Sequence, residues 1–420
     1  MPVMFAAALA AATTTTTGAA APAPACTTRL CYADNIRPFL DTLAASKRTS
    51  GRPVHILQIG DSHTAGDMFT NGWRTVLQAR YGFGGRGVLA AGRPYPGVIT
   101  FGVTQAMSPG WTVNANFGKA WNSAGGAIGI AGFSLTTRQA GETMSVTSDT
   151  PDQNFDRVTV CALRQPGGGA VTIRFGTRVE RFDLAADETR AECRTVDSEW
   201  RVSSAQVTTD GPGIVTLTSF ATFAQQGGVV VSNLGVSGSQ LVHLARENDR
   251  VIAAELDAWR PDLIVLAFGT NEGFSQSLTP DRFEEDLRSQ IRRIRRLAGR
   301  KVPIMLIGAP DANTNVGAIA RNYGSPQPCP NTGGTPGTWY TPTLLGAVRE
   351  RQRQVAHDMD LAFWDWSAAM GGLCSAMRWR SADPPLMRGD HVHFTRAGGA
   401  RLGAILFDDV EAALAAPRRQ

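Results

Sequence analysis

Ser62 stands in Gly60-Asp61-Ser62-His63, directly after the apolar run Val54-His55-Ile56-Leu57-Gln58-Ile59. A serine hydroxyl becomes a nucleophile when a neighbouring base takes its proton. Asp390-His391-Val392-His393 offers that base: an Asp and a His three residues apart face one point, His393 as base and Asp390 as the group that orients it. These three residue types together carry acyl transfer through a covalent intermediate. The other reading of Ser62 is a simple helix cap, and its own stretch does not choose between the two.

The elements that must position these residues are legible as periodicities. The run before Ser62 reads as a buried strand, and Met68, Phe69, Trp73, Val76 and Leu77 are spaced like one helix face. A serine at this strand-to-helix turn projects from the top of a sheet, beside the unpaired N–H groups of the helix start. Val229-Val230-Val231 leads into Asn233-Leu234-Gly235-Val236-Ser237-Gly238, and Leu263 to Phe268 ends in Gly269-Thr270-Asn271-Glu272. Helix is expected from Leu241 to Trp259, from Pro280 to Ala298 behind a Thr279 cap, and from Leu344 to Met359. Strands are expected from Val302 to Ile307 and Leu361 to Trp366, and Thr395 caps a last helix. Strands alternating with helices imply an α/β fold: a parallel sheet covered on both faces, with its site at the strand ends.

The blocks GDSH, LGVSG, GTNE and DHVH, in this order, resemble the SGNH (GDSL-type) hydrolases, and the extended GDSHTAGDMFT is similar to their peptidoglycan O-acetylesterase branch. The resemblance covers residues 50–90 and 229–415. It implies a three-layer α/β/α domain and a serine esterase with catalytic Ser62, Asp390 and His393. It assigns the oxyanion hole to the backbone N–H groups of Ser62 and Gly235 and the side-chain amide of Asn271. No cofactor or metal is implied. Glu272 departs from the Asp that many members carry after the Asn, with little consequence expected. The implied substrate is an acetylated cell-wall polysaccharide, O-acetylated peptidoglycan first. The alternatives are an acetylesterase or acetyltransferase acting on another polysaccharide, a lipid esterase, and, in a different class, a non-catalytic carbohydrate-binding protein. His63 and His391 are expected to be structural or cleft-lining, and His55 a core or edge residue.

Residues 100–228 change character. Short alternating runs such as Arg157 to Leu163, Ala170 to Phe175 and Gly213 to Thr218, separated by Gly and Pro turns, read as a β-sandwich inserted into the hydrolase domain, like a carbohydrate-binding module. Trp111, Trp121 and Trp200 in this segment are read as core residues rather than sugar platforms. The hydrolase domain then comprises residues 36–99 and 229–420. The Arg-rich stretch from Arg288 to Arg300 is read as a solvated helix face, and the Asn-, Pro- and Gly-rich residues 311–343 as a long loop.

Composition bounds the rest. With 420 residues, 43% of them hydrophobic, the chain can bury a large core or two. A net charge of +5 is too mild to indicate nucleic acid as a partner. Met4 to Ala10 is apolar and Ala23-Pro24-Ala25 resembles a cleavage site, although no Lys or Arg precedes them. A signal peptide or disordered linker is therefore expected over residues 1–35, with a periplasmic or otherwise exported protein and no integral membrane span. The six cysteines fall into couples by proximity along the chain: Cys26 with Cys31, Cys161 with Cys193 and Cys329 with Cys374. None has zinc-ligand spacing.

Overall fold

Val54–Gly60 is buried at every position. Successive side chains of a strand point to opposite faces, so such a strand needs cover on both sides. Leu57 and Ile59 join Ile264, Leu266, Ile304 and Leu306 in one core. Val54 and Ile56 join Val265, Met305 and Ile307 in the other. The computed structural model, which describes residues 26–46, 51–330 and 337–417, supplies both covers. Helices Asp249–Trp259, Pro280–Leu297 and Thr343–Asp358 bury their apolar stripes on the first face. Helices Arg37–Ala45, Met68–Tyr81 and Arg396–Ala415 cover the second.

The sheet between them has six strands in the order Leu30–Cys31, Ala362–Trp364, Ile304–Ile307, Leu263–Ala267, Val54–Gly60, Val229–Gly235. All pairings are parallel except that of the two-residue strand Leu30–Cys31. The expectation of a signal peptide or linker over residues 1–35 falls mostly outside the described residues. From Cys26 the chain is structured: Cys26 is bridged to Cys31, and Leu30–Cys31 forms the antiparallel edge.

The segment between the second and third long helices forms two antiparallel sheets. One runs Arg178–Asp183, Ala170–Phe175, Ser204–Thr209, Thr143–Ser148, Val103–Met107; the other runs Arg190–Val202, Phe155–Arg164, Val215–Phe223, Phe133–Thr137, Thr112–Ala115. They share one core, with Val171, Ile173, Phe175 and Val207 from the first sheet and Val158, Val160, Leu217 and Phe133 from the second. Cys161 and Cys193 lie opposite each other on paired strands and are bridged. Gly87–Ala90 also pairs with Val215–Phe223, so antiparallel structure begins before residue 100. Trp111 is buried and donates from Nε1 to Thr143 O at 3.2 Å, whereas Trp200 is 54% exposed. Trp121 lies under the Arg246 guanidinium, 5.0 Å from its ring centre.

The expected continuous helix from Leu241 to Trp259 is broken. A 3-10 turn, Leu241–Arg246, precedes the α-helix, and Asn248 caps that helix by accepting from the N–H groups of Arg250 and Val251. The break lets Glu247 turn inward to accept from Asn116 Nδ2 at 2.7 Å. Nearly two turns into the helix, Glu255 is fully buried against the antiparallel region. It accepts from Thr218 Oγ1 at 2.7 Å, Ser219 Oγ at 2.9 Å and the Ile130 N–H at 2.8 Å.

Candidate active site

Ser62 opens a four-residue helix, Ser62–Ala65, at the end of the Val54–Gly60 strand. Asp61 caps it, its carboxylate accepting from the His63 N–H at 2.9 Å. The turn is held from beneath. Gln58 Nε2 donates to Thr64 Oγ1 at 2.9 Å, and Asn233 Nδ2 donates to Thr64 O at 3.0 Å. Gly235 lies across from Gly60 in the parallel register. A Cβ at Gly235 would collide with the backbone of Ala65 and Asp61, so only glycine lets this strand end close on the serine turn.

Two residues past the short helix, Asp67 adopts a left-handed backbone at φ 54 and is buried. Its carboxylate accepts from Arg74 Nη2 at 3.1 and 2.9 Å, Arg86 Nη2 at 2.9 Å, Thr70 Oγ1 at 2.6 Å and the Phe101 N–H at 2.9 Å. Burial alone would raise its pKa, but Arg74 and Arg86 outweigh that and hold the carboxyl below its ordinary value. Arg86 also donates to Phe101 O at 2.7 Å and to Asn233 Oδ1 at 2.7 Å. Burial, with Arg74 adding to it, pulls Arg86 down to about 9 against the pull of Asp67. This knot ties the segment leading to Phe101 onto the serine turn.

The opposite wall is the turn between Met387 and Phe394, which are bridged to each other. The Arg388 N–H donates to His393 O at 2.7 Å, closing the turn. Asp390 Oδ1 accepts from the N–H groups of Val392 and His393, each at 2.9 Å. Its Oδ2 lies 2.8 Å from His393 Nδ1, and His393 Nε2 lies 2.9 Å from Ser62 Oγ. Burial works against ionisation of Asp390. The His393 ring and the two N–H groups outweigh it and keep the carboxyl well below the usual carboxylate range. An ionised carboxylate only accepts, so His393 Nδ1 carries the proton and Nε2 presents its lone pair to the serine O–H. This arrangement can draw the proton from Ser62 and steady the imidazolium that results.

The two neighbouring histidines lie outside this relay. His63 is buried, its ring 5.4 Å from those of Trp366 and His393 and 5.2 Å from that of Phe394. Burial, with His393 adding to it, pushes its pKa down to about 3, so it is neutral. His391 has φ 58 and stacks on Trp339 with ring centres 4.0 Å apart. The Cys329–Cys374 bridge anchors that contact, since the Cys329 N–H donates to Trp339 O at 2.7 Å. His55, in the central strand, is spent within the core on Trp259 O and Ser232 Oγ.

Asn271 follows the adjacent strand. Its Nδ2 donates to Ser239 O at 2.9 Å, and Gln240 Nε2 donates to Asn271 O at 3.1 Å. A primary amide has two N–H bonds, so one remains after Ser239 is satisfied. Glu272 points inward, accepting from the N–H groups of Leu241 and Gly269 at 2.7 and 3.0 Å. Its burial lifts its pKa to about 7.

Ser62 and His393 open on a cavity of about 210 Å³, which Tyr95, Gly97, Ile99, Ser237, Arg388 and Phe394 also line. The sequence reading had no signal for Tyr95, Arg388 or the Asp67 knot. Asp67 and Arg86 are far apart along the chain and on different elements, and no local pattern joins them.

The model of a family described as GDSL-like lipase/acylhydrolase matches residues 209–401. Among solved structures, a peptidoglycan O-acetylesterase superposes with a TM-score of 0.73 at 26% identity, over 92% of this chain and 99% of that one. A family two carbohydrate esterase from Clostridium thermocellum, solved with cellohexaose, matches with a TM-score of 0.30 at 11% identity, over 67% and 94% of the two chains. The salicylyl-acyltransferase SsfX3 matches with a TM-score of 0.30 at 12% identity, over 79% and 99%. Comparison with curated proteins finds no match.

Proposed function

The chain belongs to the SGNH (GDSL-type) hydrolases, and from that premise we propose that it is a serine esterase removing O-acetyl groups from cell-wall polysaccharide, with O-acetylated peptidoglycan as its substrate. Ser62 Oγ attacks the acetyl carbonyl while His393 Nε2 takes its proton. The alkoxide of the sugar leaves with that proton, and Ser62 keeps the acetyl group. Water, deprotonated by His393, then frees acetate and restores the serine. Asp390 holds the imidazole in the tautomer that accepts from Ser62 and stabilises its charged form. The oxyanion is met by the N–H groups of Ser62 and Gly235 and by the free N–H of Asn271. One such donor is worth about 10²–10³-fold in turnover.

The observation that carries this reading is the continuous Asp390–His393–Ser62 hydrogen-bond chain opening on a small cavity. That size suits an acetyl group and not a long acyl chain. The antiparallel region is read as an inserted carbohydrate-binding β-sandwich that helps to hold the polymer. Tyr95, Gly97 and Ile99, on the segment leading into it, line the cavity. Three disulfides support an exported, periplasmic protein. Among the described residues no helix is long and apolar enough to cross a membrane.

Purified protein should release acetate from O-acetylated peptidoglycan, and Ser62→Ala should lose at least about 10³-fold in kcat with its unfolding transition unchanged. A folded Ser62→Ala protein that turns over at the native rate would remove Ser62 from the reaction.

A further inference from the structure

Arg388 is the one lysine or arginine among the side chains lining the Ser62 cavity, and no carboxylate lines it. Its backbone is fixed on both sides: its N–H donates to His393 O at 2.7 Å, and its carbonyl accepts from the His391 N–H at 3.1 Å. The guanidinium therefore springs from the same tight turn that carries the base. Most arginines near the junctions of this protein are engaged: Arg86 and Arg74 on Asp67, Arg293 and Arg296 on Asp249, Arg288 on Glu284 and Asp358. Among the described residues the Arg388 guanidinium has neither a hydrogen bond nor an ion pair, and the residue is exposed.

A planar fork of donors beside a nucleophile is suited to bind a carboxylate through two parallel hydrogen bonds. From its place in the cavity we propose that Arg388 is a specificity residue, receiving a carboxylate borne by the same sugar whose acetyl ester Ser62 attacks. The preferred substrate is then an acetylated acidic sugar, one that carries a carboxylic acid substituent near the ester. The inference rests on the esterase reading above and narrows its substrate class. Arg388 acts on binding and orientation, and moves no proton.

The probe is a pair of O-acetylated N-acetylhexosamine glycosides that differ at one group. One carries a free lactyl carboxylate and the other the corresponding carboxamide. The wild-type protein should favour the carboxylate by about 10-fold in kcat/KM, the order expected of one hydrogen-bonded charge pair open to solvent. The preference should lie in KM and shrink as salt rises. In Arg388→Met the ratio between the two esters should fall to near unity, whatever happens to turnover in general, because the ratio cancels any common loss. Arg388→Lys, which keeps the charge without the fork, should fall between. A wild-type protein that does not distinguish the pair, or an Arg388→Met variant that keeps the full ratio, overturns the proposal. Loss of kcat on both esters alike, with the ratio kept, would assign Arg388 to the transition state and overturn it too. Failure to hydrolyse either ester, with Ser62→Ala no different, would strike at the esterase reading itself.

Discussion

Two buried carboxylates fasten the parallel-sheet layers to the antiparallel region, and they do so by opposite means. Asp67, next to the serine turn, meets two guanidinium groups and a backbone N–H from Phe101. Glu255, on the Asp249–Trp259 helix, meets two hydroxyls and the Ile130 N–H, with no cation. Both are 0% exposed. Burial lifts Glu255 to about 7, while the two arginines keep Asp67 below its ordinary value. Neutral donors recover only part of what the Glu255 carboxylate loses on leaving water, whereas at Asp67 two guanidinium groups outweigh that loss. The side of the junction that carries Ser62 is thus fixed by charge, and the other side by a group poised to take up a proton.

The comparison breaks most visibly at Asp67. Asp67→Asn leaves Arg74 and Arg86 buried without a counter-charge, and should cost about 3–5 kcal/mol of stability by denaturant unfolding. It should also lower esterase turnover more than KM, because the serine turn loses its anchor to Phe101. A variant within about 1 kcal/mol of wild type would show that the knot is not a stabilising device.

Arg86→Met is the intermediate case. It leaves Asp67 paired with Arg74 but releases Phe101 O and Asn233. The expected loss is about 1–3 kcal/mol, the cost of leaving such acceptors unmet. Its turnover should fall less than that of Asp67→Asn; the reverse order would place the functional anchor on Arg86.

Glu255→Gln should have the smallest effect at pH 5, and its size should depend on pH. A carboxyl whose pKa is raised by folding binds its proton more tightly in the native state. Wild-type stability from this group is therefore complete below about 4.5 and lost as pH climbs through about 7. The amide variant lacks that decline. It should lie within about 1 kcal/mol of wild type at pH 5 and gain on it by up to about 3 kcal/mol by pH 8. Comparing the two proteins cancels Glu272 and Asp61, which burial also raises, to about 7 and about 6. A stability difference that is equal at both pH values would remove Glu255 as the responsive group.

What the sequence disclosed follows the range of the forces involved. Continuous apolar runs announced the parallel strands because those strands are buried on both faces. Asp390 and His393 were readable as a pair because a tight turn closes within a few residues. The cysteine couples were readable because each partner was the nearest along the chain. The Asp67 knot was not, since its members belong to a turn, a helix and a loop that meet only after the sheets pack. The two-residue edge Leu30–Cys31 is too short for any period to register. Nor did periodicity reveal the break at Glu247, because Val251, Ile252 and Leu256 continue the apolar stripe past it while Asn116 draws Glu247 inward.

Ser62 and His393 are 331 residues apart in sequence, yet their side chains touch. Every strand of the antiparallel region is threaded between them. A ribosome makes the proposed nucleophile early and the proposed base only after all of that has been made. An N-terminal fragment that stops short of Asp390, however well folded, lacks the base proposed for Ser62. On that proposal, chemical competence waits until the His393 turn meets the Ser62 turn. Hydrolysis by the proposed relay would in consequence report on the chain from Ser62 through to His393.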